Sequence, residues 1–401
     1  MKILMLTPYV PYPPSSGGQV RTYNLLKHLS KNHQIYLVCL YKNKDEKKYE
    51  KKLSLYCKKI YFCQRSAKPF TFKNIFQTIF SSKPFLIVRN HSKEAEIVLK
   101  KLLEQEKFDI IHAETFYIMP HLPKTSIPVF LLEQTIEYKV YQHFVNSLPF
   151  FIKWLFYFDI IKLKKSEILY WQNAKKVGAV SENDAKIIKN HLKSIFPIVI
   201  PNGAGEDLFV KKIVPKNSKK PLILFVGNFS WLQNTEAALY LIKKIYPLIK
   251  NIKDISFIIA GQNALKKLGQ IKEKNIKIID VKPNDKKTIK KLYQKATIFI
   301  APIFGPGGTR LKILGAMASG IPIISTTTGI TGLDIKENKE VLIANNPQEF
   351  SDKIKKIISD KNLYEKIRIN AYNLVKKKYN WKIIAKKLEK VYYNMKYDNW
   401  N

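Results

Sequence analysis

The chain alternates short apolar runs with helical patterns, and it does so twice. Strand-like runs fall at 2–6, 34–41, 59–63, 109–113, 129–133, 176–180 and 198–200 in the first half. A second series falls at 222–227, 256–261, 276–281, 297–301, 322–325 and 341–344. Helical patterns intervene at 19–31, 92–106, 150–173 and 182–192, and three more, at 347–360, 362–379 and 381–397, close the chain. Strands separated by helices pair in parallel and are covered on both faces, so the pattern predicts an α/β fold with two doubly wound, Rossmann-like domains. In open sheets of this kind ligands bind at the carboxyl ends of the strands, and two such domains predict a cleft between them.

A length of 401 residues allows two domains, each with a core of its own, and 46% hydrophobic and 12% aromatic content belongs to a globular protein. The join is expected within 201–221, where Pro, Gly, Ser and Lys crowd together. The expected division is an N-terminal domain over 1–203, a C-terminal domain over 204–380 and a final helix over 381–401 that packs back toward the first domain. Cys39, Cys57 and Cys63 are odd in number and sit in no metal-ligand spacing, which favours a reducing compartment. The first apolar run ends at Pro8, short for a signal-peptide core, and 148–163 carries Lys153 and Asp159 and falls short of a membrane span. The expectation is a cytoplasmic protein lying against the inner face of the plasma membrane.

Net charge is +39, from 70 Lys and Arg against 31 Asp and Glu. The lysines are spread along the chain rather than clustered. That fits a codon bias toward A/T, or attraction to an anionic membrane surface, better than nucleic-acid binding, since no basic aromatic module is present. Only five basic residues are arginine: Arg21, Arg65, Arg89, Arg310 and Arg368. In a chain that defaults to lysine, an arginine marks a place where the planar fork matters. Arg21 and Arg310 both follow glycine-rich loops.

The loop after the run ending at Ala301 reads Pro302-Ile-Phe-Gly-Pro-Gly-Gly-Thr309, and a helical pattern follows with Arg310 and Lys312 in its first turn. Orphan N–H groups, a helix dipole and two cations aimed at one place make an anion site, most naturally for phosphate. Gly315 interrupts the helix, where glycine costs about 0.5–1 kcal/mol relative to alanine. A second loop of similar design, Pro8-Tyr-Val-Pro-Tyr-Pro-Pro-Ser-Ser-Gly17-Gly18, joins the first strand to the first helix. Its glycines let backbone amides approach an anion, although it lacks the third glycine of a dinucleotide fingerprint.

Several segments, in order and spacing, resemble the family 4 retaining glycosyltransferases of the GT-B fold. They are 11–21 with its two glycines and Arg21, 108–114, 180–184, 200–203 with Phe209, 225–234, and 307–318, the last two similar to a subgroup that makes cell-surface polysaccharides. The resemblance implies transfer of a sugar from a nucleotide-diphosphate sugar, with retention, to a lipid-linked or polysaccharide acceptor. It implies no cofactor and no metal. Carried over, Arg310 and Lys312 neutralise the diphosphate and the leaving group, by electrostatic stabilisation. Gly17, Gly18, Arg21, Gly308, Thr309 and Leu311 contact the donor, and Val281 lies near its base. His112 polarises the acceptor, touches the donor sugar or is a core histidine. Glu114, Glu133 and Glu137 orient the acceptor or serve as caps and solvated groups. The aromatic stretch 150–157 is an acceptor or membrane contact, or a buried helix face.

The chain departs from the family at two positions. Gly307 and Gly315 stand where the family carries two glutamates, the second of which accepts hydrogen bonds from the ribose. The nucleotide's ribose is then held by other groups, or the chain is a catalytically degenerate GT-B-like binding or regulatory protein.

Overall fold

The computed structural model describes residues 1–213, 220–283, 285–305 and 309–397, without the side chains of 151, 152 and 155. The chain divides into two compact units, Met1–Pro201 with Ile384–Asn401, and Asn202–Ile383.

The first unit is built on seven parallel strands: β1 (Lys2–Thr7), β2 (Gln34–Tyr41), β3 (Lys59–Gln64), β4 (Ile110–Glu114), β5 (Val129–Glu133), β6 (Lys176–Ala179) and β7 (Ile198–Val199). Their order across the sheet is β3-β2-β1-β4-β5-β6-β7. Every residue of β4 and β5 is buried, so side chains on both faces pack under helices, as a central parallel strand requires. Leu4, Leu6, Val38, Ile111, Leu131 and Trp171 belong to one continuous core. The C-terminal helix Trp381–Lys396 contributes its later turns to this unit, where Lys396 Nζ lies 2.8 Å from Asp109 Oδ1.

The second unit has its own core and six parallel strands: β8 (Leu222–Val226), β9 (Ser256–Gly261), β10 (Ile276–Asp280), β11 (Ile298–Ala301), β12 (Ile323–Ser325) and β13 (Leu342–Ile343). They run in the order β10-β9-β8-β11-β12-β13. In each sheet the winding reverses once, between β1 and β4 and between β8 and β11. Those reversals open a crevice at the strands' carboxyl ends, which is where an α/β sheet takes its ligand.

Helices absent from the sequence reading include Phe72–Phe80, Phe85–Asn90 and Glu137–Asn146 in the first unit and Leu232–Tyr240 and Lys286–Lys295 in the second. Among the described residues no helix is long and apolar enough to cross a membrane. The three cysteines are free and buried.

Candidate functional site

In the second unit, β8 and β11 end side by side at the reversal. Beyond β11 the chain forms the helix Leu311–Ala318, with Arg310 at its N-cap making no capping bond through its side chain. The amides of Leu311 and Lys312 precede the first bond of the helix, from Ile313 N to Arg310 O at 2.9 Å, so this end of the helix attracts negative charge. Arg310 Nη2 donates to the carbonyl of Gly305 at 2.6 Å, which ties the guanidinium to the loop it follows. Two residues further on, the Lys312 ammonium donates to Asn234 Oδ1 and sits 4.7 Å from the centre of the Phe225 ring. Asn234 Nδ2 donates to the carbonyl of Asn228 at 2.7 Å. With its amide nitrogen so engaged, Asn234 can present only its oxygen to Lys312. Burial, reinforced by the neighbouring charge of Arg310, lowers the Lys312 pKa to about 7. Two cations held together at a helix N-terminus form a site that an anion would relieve.

Other residues expected on the donor side are placed as follows. Thr309 is buried, and Leu311 opens the helix half-buried. Val281 follows β10 and is buried, its N–H donating to Gly261 O at 3.0 Å. Gly307 and Gly308 lie outside the described residues. Gly315 is buried in the helix interior, and a Cβ there would meet Leu208 Cδ1 at 2.9 Å and the Tyr293 ring at 3.2 Å. Tyr293 is itself fixed, donating its hydroxyl to Lys312 O at 3.0 Å and stacking on Phe299 with ring centres 5.7 Å apart. A side chain at this position would therefore have to push Leu208 and the Tyr293 ring aside.

In the first unit the loop after β1 leads into the helix Gly17–Leu29. A Cβ on Gly18 would lie 2.6 Å from both Gln134 Oε1 and Tyr9 Oη, so only glycine allows the loop this close. Gln134 Nε2 donates to Tyr9 Oη at 2.7 Å and also to Glu114 Oε2. Arg21 is fully buried, with Nε 3.4 Å from Glu114 Oε1 and Nη1 donating to the carbonyls of Ile200 at 3.0 Å and Pro201 at 3.1 Å. It clamps the first helix to the chain leaving β7. His112, on β4, is also fully buried; its Nε2 pairs with Glu114 Oε1 at 3.1 Å and its Nδ1 with the hydroxyl of Tyr392. Both ring nitrogens are thus occupied, so polarising an acceptor would require breaking one of these bonds. Burial works against ionisation of Glu114, but Arg21, His112 and Gln134 together hold its pKa below the usual carboxylate range. Arg21, His112 and Glu114 form one network.

Glu133 ends β5 fully buried, its Oε1 accepting from Trp171 Nε1 at 2.9 Å. Glu137 opens the helix Glu137–Asn146 half-buried, and Thr135 Oγ1 donates to its carboxylate at 2.9 Å. Beneath it Glu167 accepts from the amides of Glu137 at 2.8 Å and Tyr138 at 3.0 Å. Burial raises all three carboxyls, with mutual repulsion adding to it at Glu133 and Glu167; Glu133 reaches about 8. Asn234, Tyr293, Tyr392 and Glu167 are the residues sequence reasoning left without a role. Asn234 lies within a quoted motif, but nothing local reveals its bond to a lysine 78 residues away.

Residues 220–360 match the family described as glycosyl transferases group 1. A curated relative, an uncharacterized 44.6 kDa protein in the cps region of Klebsiella pneumoniae, is 25% identical over 398 residues, spanning 95% of this chain and 97% of its own. Among solved structures, a sucrose-phosphate synthase from Thermosynechococcus elongatus superposes with a TM-score of 0.72 at 13% identity, covering 98% of this chain and 99% of its own. Anabaena HepE in complex with UDP-glucose gives a TM-score of 0.65 at 14% identity, with the same coverage of 98% and 99%. The chain has the GT-B fold, and residues 220–360 of its second unit are similar to the glycosyl transferases of group 1.

Proposed function

We propose that this glycosyltransferase moves a sugar from a nucleotide-diphosphate sugar to a lipid-linked or glycan acceptor in cell-envelope polysaccharide synthesis, with retention and without a metal or other cofactor. The observation that carries the reading is the pair Arg310 and Lys312, held by Gly305 and Asn234 at the reversal between β8 and β11. A departing nucleoside diphosphate gains negative charge in the transition state. Two fixed cations at a helix N-terminus stabilise that charge more than they stabilise the bound donor, which is what accelerates the reaction. Support for the donor class comes from the relative that binds UDP-glucose, and for the polysaccharide setting from the relative in the cps region. Retention and the cytoplasmic location, at the membrane, rest on the family resemblance.

The test is transfer from a nucleotide sugar to an envelope glycolipid extract, comparing the chain with Arg310→Ala. Loss of transfer in the variant, with its melting temperature unchanged, supports the reading; equal transfer by both refutes the role given to Arg310. The degenerate-protein reading has one observation in its favour: Tyr293 and Leu208 fill the space beside Gly315. Binding of the nucleotide sugar without turnover would select it.

A further inference from the structure

The helix Phe72–Phe80 is amphipathic but turned inside out. Phe72, Ile75, Phe76, Ile79 and Phe80 recur at helical spacing on one face, and all are exposed, Phe72 to 96% and Phe80 to 72%. Asn74 and Thr78, not the apolar residues, face the protein. Asn74 is the buried residue, donating to Pro69 O at 2.8 Å and Ser66 Oγ at 3.2 Å. Lys162 Nζ donates to the carbonyls of Thr78 at 2.7 Å and Ser81 at 2.6 Å, which fastens the helix to the long helix Phe150–Asn173. Phe85 N donates to Asp159 Oδ1 of that same long helix at 2.8 Å. The long helix carries a matching stripe, with Phe150, Trp154, Tyr157 and Phe158 exposed at helical spacing. An apolar face that large is costly in water unless something covers it.

Charge identifies the cover. Residues 65–93 contain Arg65, Lys68, Lys73, Lys83, Arg89 and Lys93 and no aspartate or glutamate. Lys68, Lys73 and Lys83 are exposed around the aromatic face. Phenylalanine and tryptophan on one face, flanked by lysines, suit the headgroup boundary of an anionic bilayer, where rings enter the acyl edge and lysines meet phosphate. A protein partner of the same shape would need acidic groups placed to match, whereas a lipid surface supplies them everywhere.

We infer that helix Phe72–Phe80 and the exposed stripe of Phe150–Phe158 form a platform that docks the first unit onto an anionic membrane surface. This deepens the reading above and rests on it only for the acceptor: the platform would bring the chain to lipid-linked substrates.

The test is flotation of the full chain with vesicles of phosphatidylcholine alone or with one third phosphatidylglycerol. The unaltered chain floats with the anionic vesicles and releases in high salt. The triple variant Phe72→Ser, Phe76→Ser, Phe80→Ser loses at least about tenfold in partitioning, while circular dichroism and nucleotide-sugar binding in solution are unchanged. Lys68→Gln, Lys73→Gln, Lys83→Gln removes the preference for anionic lipid. Equal flotation of the serine variant, or none by the unaltered chain, overturns the platform. So does sedimentation showing a dimer that the serine variant dissolves, because the face would then be a self-association surface. Failure of flotation with donor binding intact leaves the glycosyltransferase reading standing; failure of donor binding with flotation intact does the reverse.

Discussion

Binding a nucleotide sugar should draw a proton onto Lys312. In the free chain its pKa is lowered to about 7, first by burial and then by the charge of Arg310. The diphosphate of a nucleotide sugar is doubly esterified and has no proton to exchange near neutral pH, so lysine titration is not masked by the ligand. An anion beside the ammonium raises its pKa by roughly two units or more. Uptake is then roughly 0.1 proton per donor at pH 6, 0.5 at pH 7 and 0.8–0.9 at pH 8. Affinity is nearly flat below pH 6 and weakens toward about tenfold per pH unit above 7. The stability of the free chain runs the other way. With a folded value below the ordinary 10.5, the unfolded chain holds more protons between pH 7 and 10.5, so this lysine makes stability rise with pH across that window. The assay is calorimetry with UDP-glucose, or whichever nucleotide sugar binds, at pH 6, 7 and 8 in two buffers of different ionisation enthalpy. Lys312→Arg, charged at every pH tested, should bind with no proton uptake. Buffer-independent enthalpies at pH 7 and 8 with binding intact, or the same uptake in Lys312→Arg, would refute the reasoning.

Other perturbations test neighbouring parts of the account. Asn234→Asp places a carboxylate on Lys312, so proton uptake at pH 7 should vanish and donor affinity fall about tenfold or more, read by the same calorimetry. Gly315→Glu, which must displace Leu208 and the Tyr293 ring, should destabilise the chain by about 1–3 kcal/mol in urea unfolding and fail to increase transfer. Arg21→Ala strips the partner from buried Glu114 and two carbonyls and should cost about 3–5 kcal/mol, a loss that a surface donor contact would not produce. Glu133, raised to about 8 mainly by burial, binds more protons folded than unfolded from about pH 4.5 upward. Its contribution is therefore fully present below 4.5 and is lost as pH rises toward 8, so Glu133→Gln should stabilise the chain more at pH 8 than at pH 5 in parallel unfolding curves.

The sheets were readable in the sequence because their central strands, such as β4, β5 and β11, are buried on both faces, and such strands appear as short apolar runs whatever their partners. All thirteen strands of the two sheets coincide with those runs to within one or two residues. The helix Phe72–Phe80 was hidden for a different reason. Its periodicity can be read, but only the fold reveals that Asn74 and Thr78 face inward while the phenylalanines stay in water. The scarcity of arginine was informative in two ways. Arg310 lies at the cation pair, whereas Arg21 and Arg368 are almost wholly buried, the former holding the chain to itself. Pairs distant in sequence were beyond reach: Lys312 with Asn234, and His112 with Tyr392, 280 residues apart. The missing carboxylate at Gly315 could be noticed in the sequence, but the tyrosine packed beside the glycine could not.

The central claim is that this chain transfers a sugar from a nucleotide-diphosphate donor. Mass spectrometry of the purified chain with a panel of nucleotide sugars and envelope glycolipid tests it most directly. The account predicts that one donor is consumed, that its nucleoside diphosphate appears in step with a glycolipid heavier by one sugar, and that Arg310→Ala abolishes both. No consumption of any donor in the panel, together with no donor binding by calorimetry, would contradict it.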